Sequence, residues 1–298
     1  MIPTLANPDL LASYWTLAGA VRPRDAEQHS PFDFRDRVEA AARAGFAGIG
    51  LWHADLAHIL QRRSLHEMRS ILQDNGIRHI ELEFLGDWFM DGTRKHASDD
   101  RKHLLYNAAE ALGAHHVKVG DFLRQTCPME HLIESFASLC KEAADHGTKV
   151  GFELMPFANV DTLDDALILV HGANASNGGI ILDLWHVVKL GIAYADLQRI
   201  APRFLTSVEL NDGYRANLPC GLRDETIHHR QFCGQGEFDV RGFVDAIRAM
   251  GYVGPWGVEV LCEAVRDWPL ENLAAQAFTT AQQQFSVSTI QWPISPSC

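Results

Sequence analysis

The sequence predicts an α/β fold, a single-domain (β/α)8 barrel spanning residues 1–298, and three observations predict it. Short apolar runs alternate with longer stretches of helical spacing, and the alternation repeats about eight times. The apolar runs are nearly continuous rather than alternating, as expected of parallel strands covered on both faces. Several helical stretches end at a glycine just before the next run, the usual helix C-terminal cap. Eight such units imply closure, and 298 residues with 47% hydrophobic composition suffice for one large core.

In chain order, the strands are expected at Tyr14–Val21, Phe46–Trp52, Ile77–Phe84, His116–Gly120, Val150–Met155, Gly179–Leu184, Thr206–Leu210 and Trp256–Leu261. Between and after them, helices are expected near Phe34–Ala44, Leu65–Asn75, Asp99–Leu112, Met129–His146, Leu163–Ala173, Tyr194–Ile200, Val240–Met250 and Leu270–Phe285. The capping glycines are Gly45, Gly76, Gly113, Gly147 and Gly251. An open doubly wound sheet is the other architecture this alternation allows, but no GxGxxG follows the first strand. The longest irregular stretch, 211–238, carries Arg223, His228, His229 and Arg230 among five glycine or proline positions and is a candidate cover for a site. A helical tail, Leu270–Phe285 with Ile290–Cys298 beyond it, closes the chain.

A formal charge of −12 and a pI near 5.6 argue against nucleic acid, since the 26 Lys and Arg form no run. No window approaches about 18 uninterrupted apolar residues, so no membrane partner is expected. The segment Met1–Leu5 has no basic start leading into an apolar stretch, so a cytoplasmic protein is expected. The six cysteines form no CxxC pair and read as reduced thiols, leaving oxygen and imidazole as the ligands for any metal.

In a barrel the chemistry gathers where strands end, and four consecutive strands end on a carboxylate. The fifth carries Glu153, the sixth Asp183, the seventh Glu209 and the eighth Glu259, each interrupting an apolar run. A buried charge costs several kcal/mol unless paired, and four converging at one end need a counter-ion. An oxygen shell suits Mn2+ first, then Mg2+, and less readily Zn2+ or Co2+. His186, three residues after Asp183, is read as orienting a ligand or the substrate, as a ligand itself, or as a plain helix-start histidine. Trp52, His53, Glu83, Trp88, Lys118, His228 and Arg230 are further candidates to line the pocket, with ordinary packing the competing reading for both tryptophans. Arg230 would meet a substrate carboxylate or phosphate, or pair with Glu237 or Asp239 in its own loop.

These residues resemble the xylose-isomerase-like barrels, which include sugar epimerases and inosose dehydratase. The resemblance runs from Phe32 to Phe285 and is carried by Phe152-Glu153, Asp183-Leu184-Trp185-His186, the Glu209–Asp212 segment, His229-Arg230 with Gly234-Gln235-Gly236-Glu237-Phe238-Asp239, and Val258-Glu259. It implies Glu153, Asp183 and Glu259 as metal ligands, and it departs at the seventh strand, where the family often has His and this chain has Glu209. The expected activity is metal-dependent isomerisation or epimerisation of a keto-sugar, with Glu153 and Glu259 as base and acid across an enediolate. A lyase that expels a β-leaving group from the same enediolate is the alternative, with His186, His228, His229 or Lys118 as the acid. The resemblance also implies a homo-oligomer, and a role as one subunit of a two-protein enzyme is a further possibility. Phosphodiester-cleaving relatives need a richer histidine set and a basic groove, which this acidic chain lacks.

Overall fold

The computed structural model describes residues 8–286. Eight short strands, β1 (Leu10–Ala12), β2 (Gly48–Trp52), β3 (His79–Leu85), β4 (His116–Val119), β5 (Lys149–Glu153), β6 (Gly178–Asp183), β7 (Leu205–Leu210) and β8 (Trp256–Val258), pair in parallel and in sequence order. The ring closes where Ala12 of β1 pairs with Val258 of β8. Almost every strand residue is buried, which is why their sequences read as apolar runs rather than alternations.

Helices α1 (Phe34–Ala44), α2 (His53–Ile59), α3 (Leu65–Asp74), α4 (Gly92–Leu112), α5 (Met129–Asp145), α6 (Leu163–Ala173), α7 (Leu184–Lys189), α8 (Leu222–His228), α9 (Val240–Ala249) and α10 (Leu270–Gln282) surround the sheet. Their starts are chemically marked: Ser64 and Glu67 form a reciprocal capping box on α3, and Asp33, Thr162 and Asp239 cap α1, α6 and α9 through their side chains. Gly45, at φ 110°, ends α1 in a conformation an L-residue adopts only with strain. Gly76, Gly113, Gly147 and Gly251 also have positive φ.

The expected first strand, Tyr14–Val21, is displaced. The strand is Leu10–Ala12, and Tyr14–Thr16 is a 3-10 turn folded over the end of the barrel. Both segments are buried, so hydropathy did not separate them. The expected helix over Tyr194–Ile200 is 3-10 rather than α, and α4 begins seven residues before its expected start, at Gly92. Residues 211–238 contain helix α8, which the sequence reading left irregular. The tail is helical through Gln282 and 3-10 over Gln283–Phe285, whereas Ile290–Cys298 and Met1–Leu5 lie outside the described residues. Among the described residues, Cys127, Cys140, Cys220, Cys233 and Cys262 are free thiols, and no helix is long and apolar enough to cross a membrane.

Candidate active site

The strands deliver their last residues to one end of the barrel, where a cavity of about 360 Å³ is lined by Glu83, Glu153, His186, Arg230 and Glu259, among others. Register places the carboxylates as neighbours: Asp183 pairs with Glu209 across β6 and β7, and Glu209 pairs with Gly257 across β7 and β8. Gly257 permits this, because a Cβ there would stand 2.9 Å from the Glu209 Cγ. Asp183 is also the N-cap of α7: its Oδ1 accepts the backbone N–H groups of Trp185 (2.7 Å) and His186 (3.2 Å).

Two buried cations stand among these acids. Lys118 Nζ lies 2.6 Å from Glu209, 3.1 Å from Glu259, 3.3 Å from Glu83 and 4.0 Å from Glu81. Arg230 Nη1 bridges Asp183 (2.7 Å) and Glu259 (2.9 Å), and its Nε and Nη2 donate to Thr226. Burial alone would raise the Asp183 pKa, but Arg230, His186 and Asn211 hold it well below the usual carboxylate range. Burial pushes Glu83 up to about 8 despite Lys118. Burial, reinforced by repulsion from Glu259, raises Glu209 well above its ordinary value. Glu81 goes the other way, to about 2, because Lys118 and His116 outweigh its burial. Burial would deprotonate Lys118, yet the four surrounding carboxylates keep it protonated.

The donor set fits a divalent cation. Carboxylate oxygens of Glu153, Asp183, Glu209 and Glu259 lie within 4.8 Å of one another, all four residues are buried, and Glu153, Asp183 and His186 form a second such group. Glu209 Oε2 is buried without a hydrogen-bond partner while its Oε1 is held by Lys118 and Ser13. Six buried carboxylates (Glu81, Glu83, Glu153, Asp183, Glu209, Glu259) share two permanent cations, and burial with this shortage of positive charge holds Glu83 and Glu209 above their ordinary values, a strain that a divalent ion would reduce.

The sequence candidates divide by position. Glu153, Glu259, His186, Glu83, Trp52, His53 and Arg230 line the cavity. Asp183, Glu209 and Lys118 lie outside its lining. His186 Nε2 is 3.3 Å from Glu153 Oε1, its Nδ1 is buried without a partner, and its backbone belongs to the Asp183 cap. Arg230 pairs with Asp183 and Glu259 rather than with Glu237 or Asp239, which serve Arg215 and the start of α9. Trp88 is corrected from pocket wall to core: it packs on Phe89, Phe136 and Phe152 and donates to the Gly120 carbonyl at 3.2 Å. His228 is likewise turned away from the cavity, against Arg266 (3.1 Å) and Glu263 (3.8 Å). Sequence reasoning missed Arg101, Phe84 and Thr226, which line the cavity from a helix interior, an apolar run and the unrecognised α8.

Residues 211–238 are braced from below. Asp212, fully buried, accepts the backbone N–H groups of Gly213 (2.8 Å), Gly234 (2.9 Å) and Phe238 (2.9 Å), and Gly236 leaves the room this requires, since a Cβ would fall 2.4 Å from Asp212 Oδ1.

Fold and site together define a closed (β/α)8 barrel with a buried, acid-rich centre at the catalytic end of its strands. The chain belongs to the xylose isomerase-like TIM barrel family, whose model matches residues 38–282. It is 27% identical over 240 residues to a 3-dehydroshikimate dehydratase of Pseudomonas aeruginosa, an alignment spanning 78% of this chain and 37% of that protein, so the chain accounts for little more than a third of that relative's length. An inosose isomerase of Bacillus licheniformis is 26% identical over 131 residues, 43% of this chain and 45% of that one. Among solved structures, the IOLI protein with a bound zinc atom superposes with a TM-score of 0.78 at 19% identity, covering 94% of this chain and 100% of that one. The family thus includes both a lyase and an isomerase.

Proposed function

We propose that this chain is a lyase that removes water from a small polyhydroxy ketone, taking a proton from the carbon beside the carbonyl and expelling the hydroxyl of the next carbon. The observation that carries this reading is the unequal company of the two cavity carboxylates. Glu259 is held by Lys118 at 3.1 Å and Arg230 at 2.9 Å, whereas the ion-pair partner of Glu153 is the imidazole of His186 at 3.3 Å. Burial raises the Glu259 pKa, yet each of its oxygens already faces a cation, Oε1 the Lys118 ammonium and Oε2 the Arg230 guanidinium, so it is less available to a substrate C–H than Glu153. The expected isomerase sets its two acid–base carboxylates, Glu153 and Glu259, across the substrate; here Glu153 is paired instead with an imidazole, a pair suited to taking a proton at one carbon and delivering one at the next.

Glu153 accepts the proton, and the electron pair of the broken C–H bond passes into an enolate. As the carbonyl re-forms, the C–O bond at the β-carbon breaks and the His186 imidazole delivers a proton to the departing oxygen, leaving an unsaturated ketone and one water. The 3.3 Å contact then lets Glu153 return its proton to His186. Glu153, Asp183, Glu209 and Glu259 would hold a divalent ion, which supplies Lewis-acid charge for the ketone oxygen. Arg230 adds fixed positive charge to the same wall. Burial, with Arg101 nearby, pulls His53 down to about 3, so its ring is neutral; its Nδ1 accepts from the Phe84 N–H, leaving Nε2 as a donor for a substrate oxygen.

3-Dehydroshikimate, the β-hydroxy ketone in the names of the Pseudomonas relatives, is the first substrate to try. Proton NMR in D2O separates the steps. Wild type is expected to yield the dehydrated product, Glu153→Gln to lose both deuterium uptake and product, and His186→Asn to keep uptake while elimination slows by about 100-fold. Wild-type elimination in His186→Asn, or an epimer as the product across a panel of ketones, would overturn the lyase reading.

A further inference from the structure

We infer that the wall of the cavity formed by Trp52, His53 and Arg101 is a subsite for an anionic group of the substrate, a carboxylate or a phosphate. Four arginines line the cavity, and two are already spent: Arg230 on Asp183 and Glu259, Arg24 on Asp224 at 3.4 Å. Arg101, half-buried on α4, makes no ion pair and no hydrogen bond among the described residues. The carboxylate that acts on it most, Asp87, is bonded to Arg94 instead. Arg101 thus keeps an unpaired, partly desolvated guanidinium in a chain of 38 acidic against 26 basic residues. Its hydration has been reduced with nothing on the protein to replace it.

Its neighbours point the same way. His53 is kept neutral by burial and by the Arg101 charge, so it offers a donor without a second positive charge. The Trp52 indole packs on the His53 ring with centroids 4.5 Å apart and lines the same cavity. A guanidinium fork with a neutral N–H donor beside it suits a planar or tetrahedral oxyanion. Arg223, on α8, is also without an acid partner among the described residues, but it rests over the Phe157 ring at 5.8 Å, which engages its face. Arg101 has no such contact, so the subsite is assigned to it. Glu153 and His186 stand on a different wall, contributed by β5 and α7. An anion on Arg101 therefore orients the remainder of a ring-sized substrate toward the base.

The subsite's role as a substrate anchor rests on the lyase reading, but its selectivity for anions does not, so the test uses ligands that cannot be dehydrated by that route. Quenching of tryptophan fluorescence, with Trp15 and Trp52 in the cavity wall, is titrated with shikimate against its methyl ester and with myo-inositol monophosphate against myo-inositol. Wild type is expected to bind the charged member of at least one pair about 10-fold or more tightly, and the pair that responds tells carboxylate from phosphate. Arg101→Gln should erase that preference while leaving affinity for the neutral member unchanged, which shows the cavity intact; Arg101→Lys should recover part of it, and Arg223→Gln should keep it. Equal binding within both pairs, or a preference that survives Arg101→Gln or is lost only in Arg223→Gln, would overturn the proposal.

Discussion

Lys118 is one ammonium group facing carboxylates of Glu81, Glu83, Glu209 and Glu259 with 1% of its surface exposed. Removing it leaves acids buried without their cation, so Lys118→Met is expected to destabilise the fold by about 3–5 kcal/mol in denaturant unfolding. Adding Glu209→Gln to that variant should restore part of the loss, whereas additive losses would mean that the pair is not coupled. His53 governs a pH dependence. Its pKa falls from 6.5 to about 3 on folding, so below pH 6.5 the unfolded chain takes up a proton that the native chain refuses. Stability is thus lost as pH drops from about 6.5 toward 3, by about 2 kcal/mol at pH 5 from this residue, and His53→Gln should flatten the fall in Tm over that range. The carboxylates were legible because each breaks an apolar run. Their partners were not: Lys118 is a lone basic residue in a strand, and nothing local tells whether Arg230 turns to its own loop or to the barrel.

At the scale of elements, the alternation of apolar runs and capped helices was readable because parallel strands buried on both faces carry their own signature. The first unit was not, since Tyr14, Leu17 and Ala18 are as buried above the barrel end as Leu10 and Leu11 are within it. Helix α8 escaped notice because its seven residues are too few to show a period. The segment that contains it depends on Asp212. Asp212→Ala removes the acceptor for three backbone N–H groups, and a cost of about 3 kcal/mol is expected in denaturant unfolding. The same variant should become susceptible to proteolysis within 213–238; a cleavage pattern identical to wild type would show that the segment is held by other means.

For the whole molecule, a divalent ion on the four carboxylates, as proposed, would link a binding equilibrium to folding. Restoring Mn2+ or Zn2+ to chelator-treated protein is expected to raise Tm, each tenfold increase above the dissociation constant adding about 1.4 kcal/mol. Glu153→Gln and Asp183→Asn should each weaken that response, and wild type unmoved by either ion would remove the metal from the mechanism. What the sequence disclosed at this scale was the ring of acids and the architecture that converges them. It did not disclose how charge is shared between Glu153 and Glu259, which depends on Lys118, His186 and Arg230, side chains from three other units of the barrel.

Arg230 leaves the segment after β7 and enters the barrel to grip Asp183 and Glu259, with its guanidinium 5.6 Å over the Trp185 ring. Loops at this end of a barrel are commonly treated as interchangeable cassettes on an inert frame. Here the cassette carries a fixed charge of the carboxylate centre. Exchange of residues 211–238 with the corresponding stretch of another barrel would change the electrostatics of the carboxylates along with the shape of the entrance, and a graft lacking an arginine at this point inherits a centre one positive charge short.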